Sequence, residues 1–400
     1  MTMSAFSEQG GHLLPPVLSG SDSPAPRNPP RRRRIGLVVG ILSVAVVGAV
    51  CAGVQWNANL GYDDALVAFD EAVADAATSQ VALEQGLSLL PEVMDPAALV
   101  QDADTGNLMD AGAREALDAA VAELSYAETD ATALTSSLLL HAGEKPDWAW
   151  ELFSQTSRLN EDRITVEERR DDLDSASAAL ASATDAVSEA GLAAVQVAAD
   201  AAEGFEDAHV SARNRDILSL RAAAEWLDGA EVLDSNTADA YRDLEAAAVA
   251  MLASEQAELA EKEGPLYQAR LEIEAFARGL APDVLLDFDW SPIVIGYGQG
   301  ESMAGLASWW YGDPGYANIE LTNSVAEFWP SDRSRALVAH EVGHAISIKC
   351  VGMYDDTDTN TIEAWATAWA ISMGYTDDAN GTSAYGPPPQ ELIDTAAGCR

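Results

Sequence analysis

The sequence predicts a mostly α-helical protein. It comprises a single N-terminal transmembrane helix, a long extracellular helical bundle or antiparallel coiled-coil region, and a small C-terminal α+β domain. Three observations carry this reading. Residues 35–54 form a run of 20 without a charged side chain. Residues 55–281 are rich in Ala, Glu and Asp, nearly free of Gly and Pro except at a few breaks, and helical in period. From Pro282 onward, aromatic, Gly and β-branched residues rise and strand-like stretches alternate with helical ones. The expected divisions are 1–34, 35–54, 55–281 and 282–400.

Residues 1–34 are rich in Pro, Ser, Gly and Arg and hold too few apolar side chains to fold, so they read as a disordered cytoplasmic tail. The run 35–54 is long enough, at about 1.5 Å per residue, to cross a hydrocarbon core of about 30 Å. Arg31 to Arg34 precede it, while Asp63, Asp64, Asp70 and Glu71 follow it. The positive-inside rule then keeps the N-terminus in the cytoplasm and places the rest outside the cell membrane. A cleaved secretory signal is the alternative, but both the apolar run and the segment before it are long for one. Cys51 falls in the span, and Gly48-Ala49-Val50 before it match a lipoprotein signal poorly. Cys350 and Cys399 fall outside, in an oxidising compartment, where two cysteines most simply pair. The net charge of −43, from 22 basic against 65 acidic residues, excludes nucleic acid as a partner.

In the helical region, Leu173, Leu180, Val187 and Ala194 repeat every seven residues, with Ala176, Ala183, Ala190 and Val197 at the complementary positions. A second seam runs through Leu252, Leu259, Leu266 and Ile273, interrupted at Gly264-Pro265. Breaks are expected at 91–96, 143–146, Gly204 and 233–236, giving several long helices in an antiparallel hairpin or bundle. The region reads as a spacer or as a stalk that binds a protein partner. The cluster Trp148-Ala149-Trp150-Glu151-Leu152-Phe153 is expected to be buried where helices turn, with an exposed contact patch as the alternative. In the C-terminal domain, strands are expected at 292–297 and 316–322, and 302–311 adds a strand or part of a helix. Helices follow over about 331–349, 360–373 and 390–397.

His340-Glu341-Val342-Gly343-His344 lies inside the first of those helices, which Ser331 can cap. The pattern H-E-x-x-H puts two imidazoles on one face about a turn apart, where they can grip one zinc ion. Glu341 stands beside them, able to take a proton from an activated water. A catalytic zinc needs a third protein ligand. The extension H-E-x-x-H-x-x-G-x-x-H fails, because Ser347 and Cys350 occupy its positions. Glu363, Cys350 as a thiolate, and Asp355, Asp356 or Asp358 remain. Asn360 to Glu363 also has capping-box spacing, which offers Glu363 a structural role. Asp356-x-Asp358-x-Asn360 imitates the start of a calcium loop but has Thr361 and Thr367 where that loop needs Gly and Glu.

Over about 317–373 the chain resembles the gluzincin branch of the zincin metallopeptidases, in which H-E-x-x-H is followed some twenty residues later by a Glu ligand on a second helix. The resemblance implies a zinc cofactor held by His340, His344 and Glu363, with Glu341 as general base. It also implies an edge strand before the motif helix that pairs with extended peptide, a position filled by Tyr316, Ala317, Asn318 and Ile319. Thermolysin-like enzymes use a further histidine to stabilise the oxyanion. Apart from the motif pair, none follows His209. Tyr311, Tyr354, Tyr375 and Tyr385 are the substitutes on offer. The expected function is a membrane-anchored extracellular zinc peptidase acting on peptide or protein substrates. The second expectation is a non-catalytic surface protein with a partner-binding stalk and a degenerate or structural zinc module. A third expectation has the helical region acting as a latch over the cleft.

Overall fold

The computed structural model describes residues 33–137, 140–310 and 315–400. Nearly all of the tail assigned to 1–34, and Tyr311, lie outside the described residues. In chain order the elements are α1 (Arg33–Leu89), α2 (Pro91–Ala103), α3 (Ala111–Thr135), α4 (Ala149–Ala208), α5 (Asn214–Asp228), α6 (Ser235–Glu261) and α7 (Tyr267–Leu280). They continue with β1 (Leu285–Ser291), β2 (Gly305–Trp309), β3 (Tyr316–Thr322), α8 (Asn323–Glu327), α9 (Asp332–Ile346), α10 (Thr359–Ser372), α11 (Thr382–Tyr385) and α12 (Gln390–Ala396). The chain is thus mostly helical with one small sheet, and its long apolar N-terminal helix is able to cross a membrane.

Two units make up the chain. The first holds residues up to Ala72 and 140–165. Within it, Leu42, Val44, Val46, Val47 and Val50 of α1 are exposed, as a lipid-facing span requires. Further along α1, Ala58, Tyr62, Ala65 and Phe69 are buried, as are Leu152 and Leu159 of α4. The Gln55 side chain donates to Asp147 O and accepts from the Ala149 N–H, both at 2.9 Å. Lys145 pairs with Asp63 and lies over the Tyr62 ring. The aromatic cluster departs from the expectation of burial. Leu152 alone turns inward, and Trp148, Trp150 and Phe153 are 58%, 66% and 46% exposed.

The second unit holds 73–139 and 166–400. One core joins Leu83 and Leu90 to Leu117 and Leu124 of α3, Leu220 and Leu227 of α5, and Tyr241 and Leu244 of α6. The heptad residues Leu173, Leu180, Val187 and Ala194 lie in that core, at most 3% exposed. The second seam is displaced. Met251 and Glu258 are buried while Leu252 and Leu259 are only half-buried, because α6 turns Tyr241, Leu244, Ala248 and Met251 inward. The expected break at Gly204 is absent, since α4 runs on to Ala208. A side chain at Gly204 would meet open space, so nothing there interrupts the helix. Pro96 also sits inside α2, and the break comes earlier, where Pro91 opens that helix.

The sheet has the order β1-β3-β2, with β1 parallel and β2 antiparallel to β3. The strand expected at 292–297 is instead a turn, closed by a bridge between Val294 and Tyr297 with Ile295 and Gly296 at positive φ. The strand lies just upstream, at β1. A second core packs Leu286 and Phe288 of β1 and Ile319 and Leu321 of β3 against Val338 and Val342 of α9 and Trp365 and Trp369 of α10. Ile273 and Ala277 of α7 belong to the same core. Polar ties also bind the sheet to the helices before it. Asn214, buried, donates to Ala317 O (3.0 Å) and Leu285 O (3.3 Å), while its N–H donates to Asp287 (2.8 Å). Arg213 pairs with Asp289 at 2.9 Å, and buried Lys262 lies 3.1 Å from Glu274. Cys350 and Cys399 are bonded with Cα atoms 6.0 Å apart, and the Trp369 indole N–H donates to Cys399 O.

Candidate metal centre

Two helices carry the donors. Ser331 caps α9 by accepting from the Ser334 N–H, and everything from Ala336 to Ile346 is buried. Asp358 caps α10 by accepting from the Asn360 N–H, so Glu363 is not needed as a cap. The helices pack closely because Gly343 faces the backbone of α10. A Cβ there would lie 2.8 Å from Ala366 O and 3.1 Å from Ala366 Cα.

This packing brings three atoms together. His340 Nε2, His344 Nε2 and Glu363 Oε2 form a triangle with every side 3.2 Å. Burial pushes the Glu363 carboxyl up, but the two imidazoles outweigh it and hold the group down to about 2, so it is ionised. The His340 ring is fixed from behind. The Thr367 hydroxyl donates to Glu363 O at 2.8 Å, so it can only accept from His340 Nδ1–H at 3.4 Å. That tautomer leaves the Nε2 lone pair facing the triangle. A carboxylate and two imidazole nitrogens converging this closely need positive charge among them, supplied by a shared proton or by a metal ion. A tetrahedral ion with bonds of about 2.0–2.1 Å holds its donors roughly 3.3–3.4 Å apart. The two histidines and a carboxylate therefore fit zinc in chemistry and in spacing. His344 Nδ1 is buried without a hydrogen-bond partner, and the ring stacks on Trp309 at 5.5 Å.

Glu341 lies beside the triangle against β2. A Cβ on Gly305 would come within 2.5 Å of its Oε1, so only glycine leaves the carboxylate room. Burial pushes Glu341 up to about 7, with Glu363 adding repulsion, while His340 and the Ala307 N–H oppose the rise. That N–H belongs to β2, the outer strand on this side of the sheet. The Thr322 N–H donates to Ala304 O, and alternation along β2 then turns Leu306 and Ser308 toward β3 and the main chain of Gly305, Ala307 and Trp309 outward.

The substrate strand expected at Tyr316, Ala317, Asn318 and Ile319 is not an edge. β3 is the middle strand, with β1 on one side and β2 on the other. Ala317 and Ile319 are fully buried, and the Asn318 side chain donates to Asp289. The edge beside the metal group is β2. Cys350 is withdrawn from the ligand candidates by its disulfide, Asp355 holds Thr357, and Asp358 caps α10. Of the tyrosines, Tyr354 stacks on Trp365 and Tyr375 meets Phe276 edge-on, while Tyr385 lies against His340 with ring centres 6.1 Å apart. Burial, then the charges of Glu363 and Glu341, push its phenol up to about 12. Gly381, at φ 102°, makes the turn that delivers Tyr385, in a place where a Cβ would strike Thr367 and His340.

Two cavities adjoin the triangle. One of about 210 Å³ is lined by Ala307, Trp309, His344, Ile362, Glu363 and Tyr385. The other, of about 550 Å³, runs from Gly305 and Glu341 past Met303, Leu337 and Tyr297 to Arg333. Gly305, Ala307 and Thr367 thus join the site without having been singled out as its parts from sequence, and of the three described candidate tyrosines Tyr385 is the one that lies against it. The alternation of small and large residues in Gly305-Leu306-Ala307-Ser308-Trp309 is the signal that marks the strand. No protein-family model, curated protein or solved structure matches this chain, so the reading of the site rests on its own geometry and chemistry.

Proposed function

We propose that the chain is a zinc-dependent peptidase of the gluzincin-like kind, anchored in a membrane by residues 35–54 and carrying its site on the outer side. The observation that carries the reading is the 3.2 Å triangle of His340, His344 and Glu363 with the Glu341 carboxylate beside it. Zinc held there supplies a Lewis acid that polarises a carbonyl and acidifies water.

The chain's own residues do the rest. An extended peptide adds along the edge strand β2, where the main chain of Gly305 and the carbonyl of Ala307 face away from β3. Glu341 accepts the proton of the attacking water and passes it to the leaving amine as the C–N bond breaks. The Tyr385 phenol, kept protonated, donates a hydrogen bond to the oxygen on which negative charge develops.

Elemental analysis of the purified chain, paired with a peptide library, tests this. The wild type is expected to hold one zinc per chain and to cleave. Glu341→Gln is expected to keep the zinc and lose cleavage. A metal-free wild type ends the proposal, and a zinc-loaded wild type that cleaves no peptide reduces it to a structural metal module.

A further inference from the structure

The run 35–54 ends at Val54, and Gln55 is the first polar residue after it. Gln55 is also the residue that grips the start of α4, accepting from the Ala149 N–H and donating to Asp147 O. Lys145 meets α1 at Tyr62 and Asp63, about two turns further along. The segment from Lys145 to Ala149 therefore descends along α1 until it reaches the level at which the apolar run stops. Trp148 and Trp150 sit at that level, stacked with ring centres 5.3 Å apart and planes within 8°. Both are more than half exposed, and Trp56, one residue beyond Gln55, is 71% exposed.

Three exposed indoles at one height are costly in water and have no partner among the described residues of their unit beyond each other. Indole prefers the boundary between headgroups and acyl chains, where its apolar body is buried and its N–H stays wet. The local charges argue against an anionic surface, because Glu144, Asp147 and Glu151 flank the pair. We infer that Trp148, Trp150 and Trp56 form a membrane-interface collar, in which the turn before α4 is docked on the bilayer surface by Gln55. This rests on the reading that α1 crosses a membrane. It adds a second contact with the same bilayer, made by a segment about ninety residues away in sequence.

The test uses the full chain in phosphatidylcholine vesicles whose acyl chains carry bromine near the carbonyl end, a contact quencher of indole emission. The wild type is expected to be quenched. Trp148→Ala/Trp150→Ala is expected to lose about two-thirds of that quenching, leaving Trp56, while Trp226→Ala is expected to change it little. Gln55→Ala, which releases the turn without removing an indole, is expected to lower the quenching as well. Both indoles are exposed, so the double variant keeps the wild-type circular dichroism. Equal quenching in the wild type and the double variant overturns the collar and leaves the pair to a protein partner. A wild type that is not quenched and is extracted from the vesicles by alkaline carbonate overturns the spanning reading beneath it, and the collar with it.

Discussion

Gly343 is the place where one methyl group tests the geometry of the centre. Replacing it by Ala sets a Cβ 2.8 Å from Ala366 O and 3.1 Å from Ala366 Cα. An ordinary contact needs about 3.4 Å, so α10 must retreat by about 0.6 Å or α9 must tilt. The retreat is resisted by Trp365 and Trp369, both fully buried beneath α10. Glu363 stands one turn before Ala366 and moves with it. The triangle now measures 3.2 Å on each side, and a displacement near 0.6 Å exceeds the roughly 0.5 Å tolerance of a preorganised site. Two terms oppose each other in stability. Ala gains about 1 kcal/mol over Gly in a helix, while overpacking costs about 1–3 kcal/mol. The metal-free protein should therefore lose at most about 2 kcal/mol, and zinc affinity should fall by roughly 10–100-fold, as when a supporting contact of a metal site is removed. Chelator competition measures the affinity and thermal unfolding of the apo chain measures the stability. A Gly343→Ala chain that binds zinc as tightly as the wild type refutes the argument that this crossing sets the position of Glu363.

Tyr385→Phe should keep zinc and peptide affinity and lower kcat by roughly 10²–10³-fold, as loss of an oxyanion donor does, measured by steady-state kinetics. Asp287 is held up to about 6 by burial, so the native state favours its protonated form. The stability from that proton is full below about pH 4 and is lost as pH rises through about 6. Asp287→Asn keeps an acceptor for the Asn214 N–H and removes this titration. Its melting temperature should gain on the wild type between pH 4 and 7 by the equivalent of roughly 1–2 kcal/mol, after allowance for partial exposure. A constant difference across that range would sink the assignment. Cys350→Ser/Cys399→Ser opens a ring with a sequence separation of 49 and should cost up to about 4 kcal/mol in denaturant unfolding. It should also weaken zinc binding, since Glu363 lies inside the ring. A chain begun at Pro282 lacks Ile273 and Ala277 from its core and Asn214 from its sheet, and should fail to give a cooperative melting transition.

Legibility in the sequence followed how local each signal is. The start of α9 was readable because Ser331 caps it within its own first turn, whereas the capping spacing at Asn360 to Glu363 misses the residue that caps α10, Asp358. The β3 residues Tyr316–Thr322 announced a strand, yet nothing in them tells how many neighbours a strand has. That number depends on β1, whose Asp287 and Asp289 make it look like a solvated loop. Their partners Asn214 and Arg213 lie more than seventy residues away. The Trp148 cluster looked like core because Trp is apolar, but composition does not say which side of a helix faces water. Tyr385 stood among equivalent tyrosines until the left-handed turn at Gly381 set it over His340.

The covalent ring closed by Cys350 and Cys399 divides the centre in a way that bears on its survival among proteases. The histidines stand outside the ring, and Glu363 and Tyr385 stand inside it. Within the ring lie exposed stretches, at Val351 to Met353 and again at Tyr385, that invite cutting. A single cut before Glu363 leaves it joined to the motif helix through Cys399, and a single cut after it leaves it joined through Cys350. No one nick in the ring severs the carboxylate from the histidines, so damage there removes no part of the donor set.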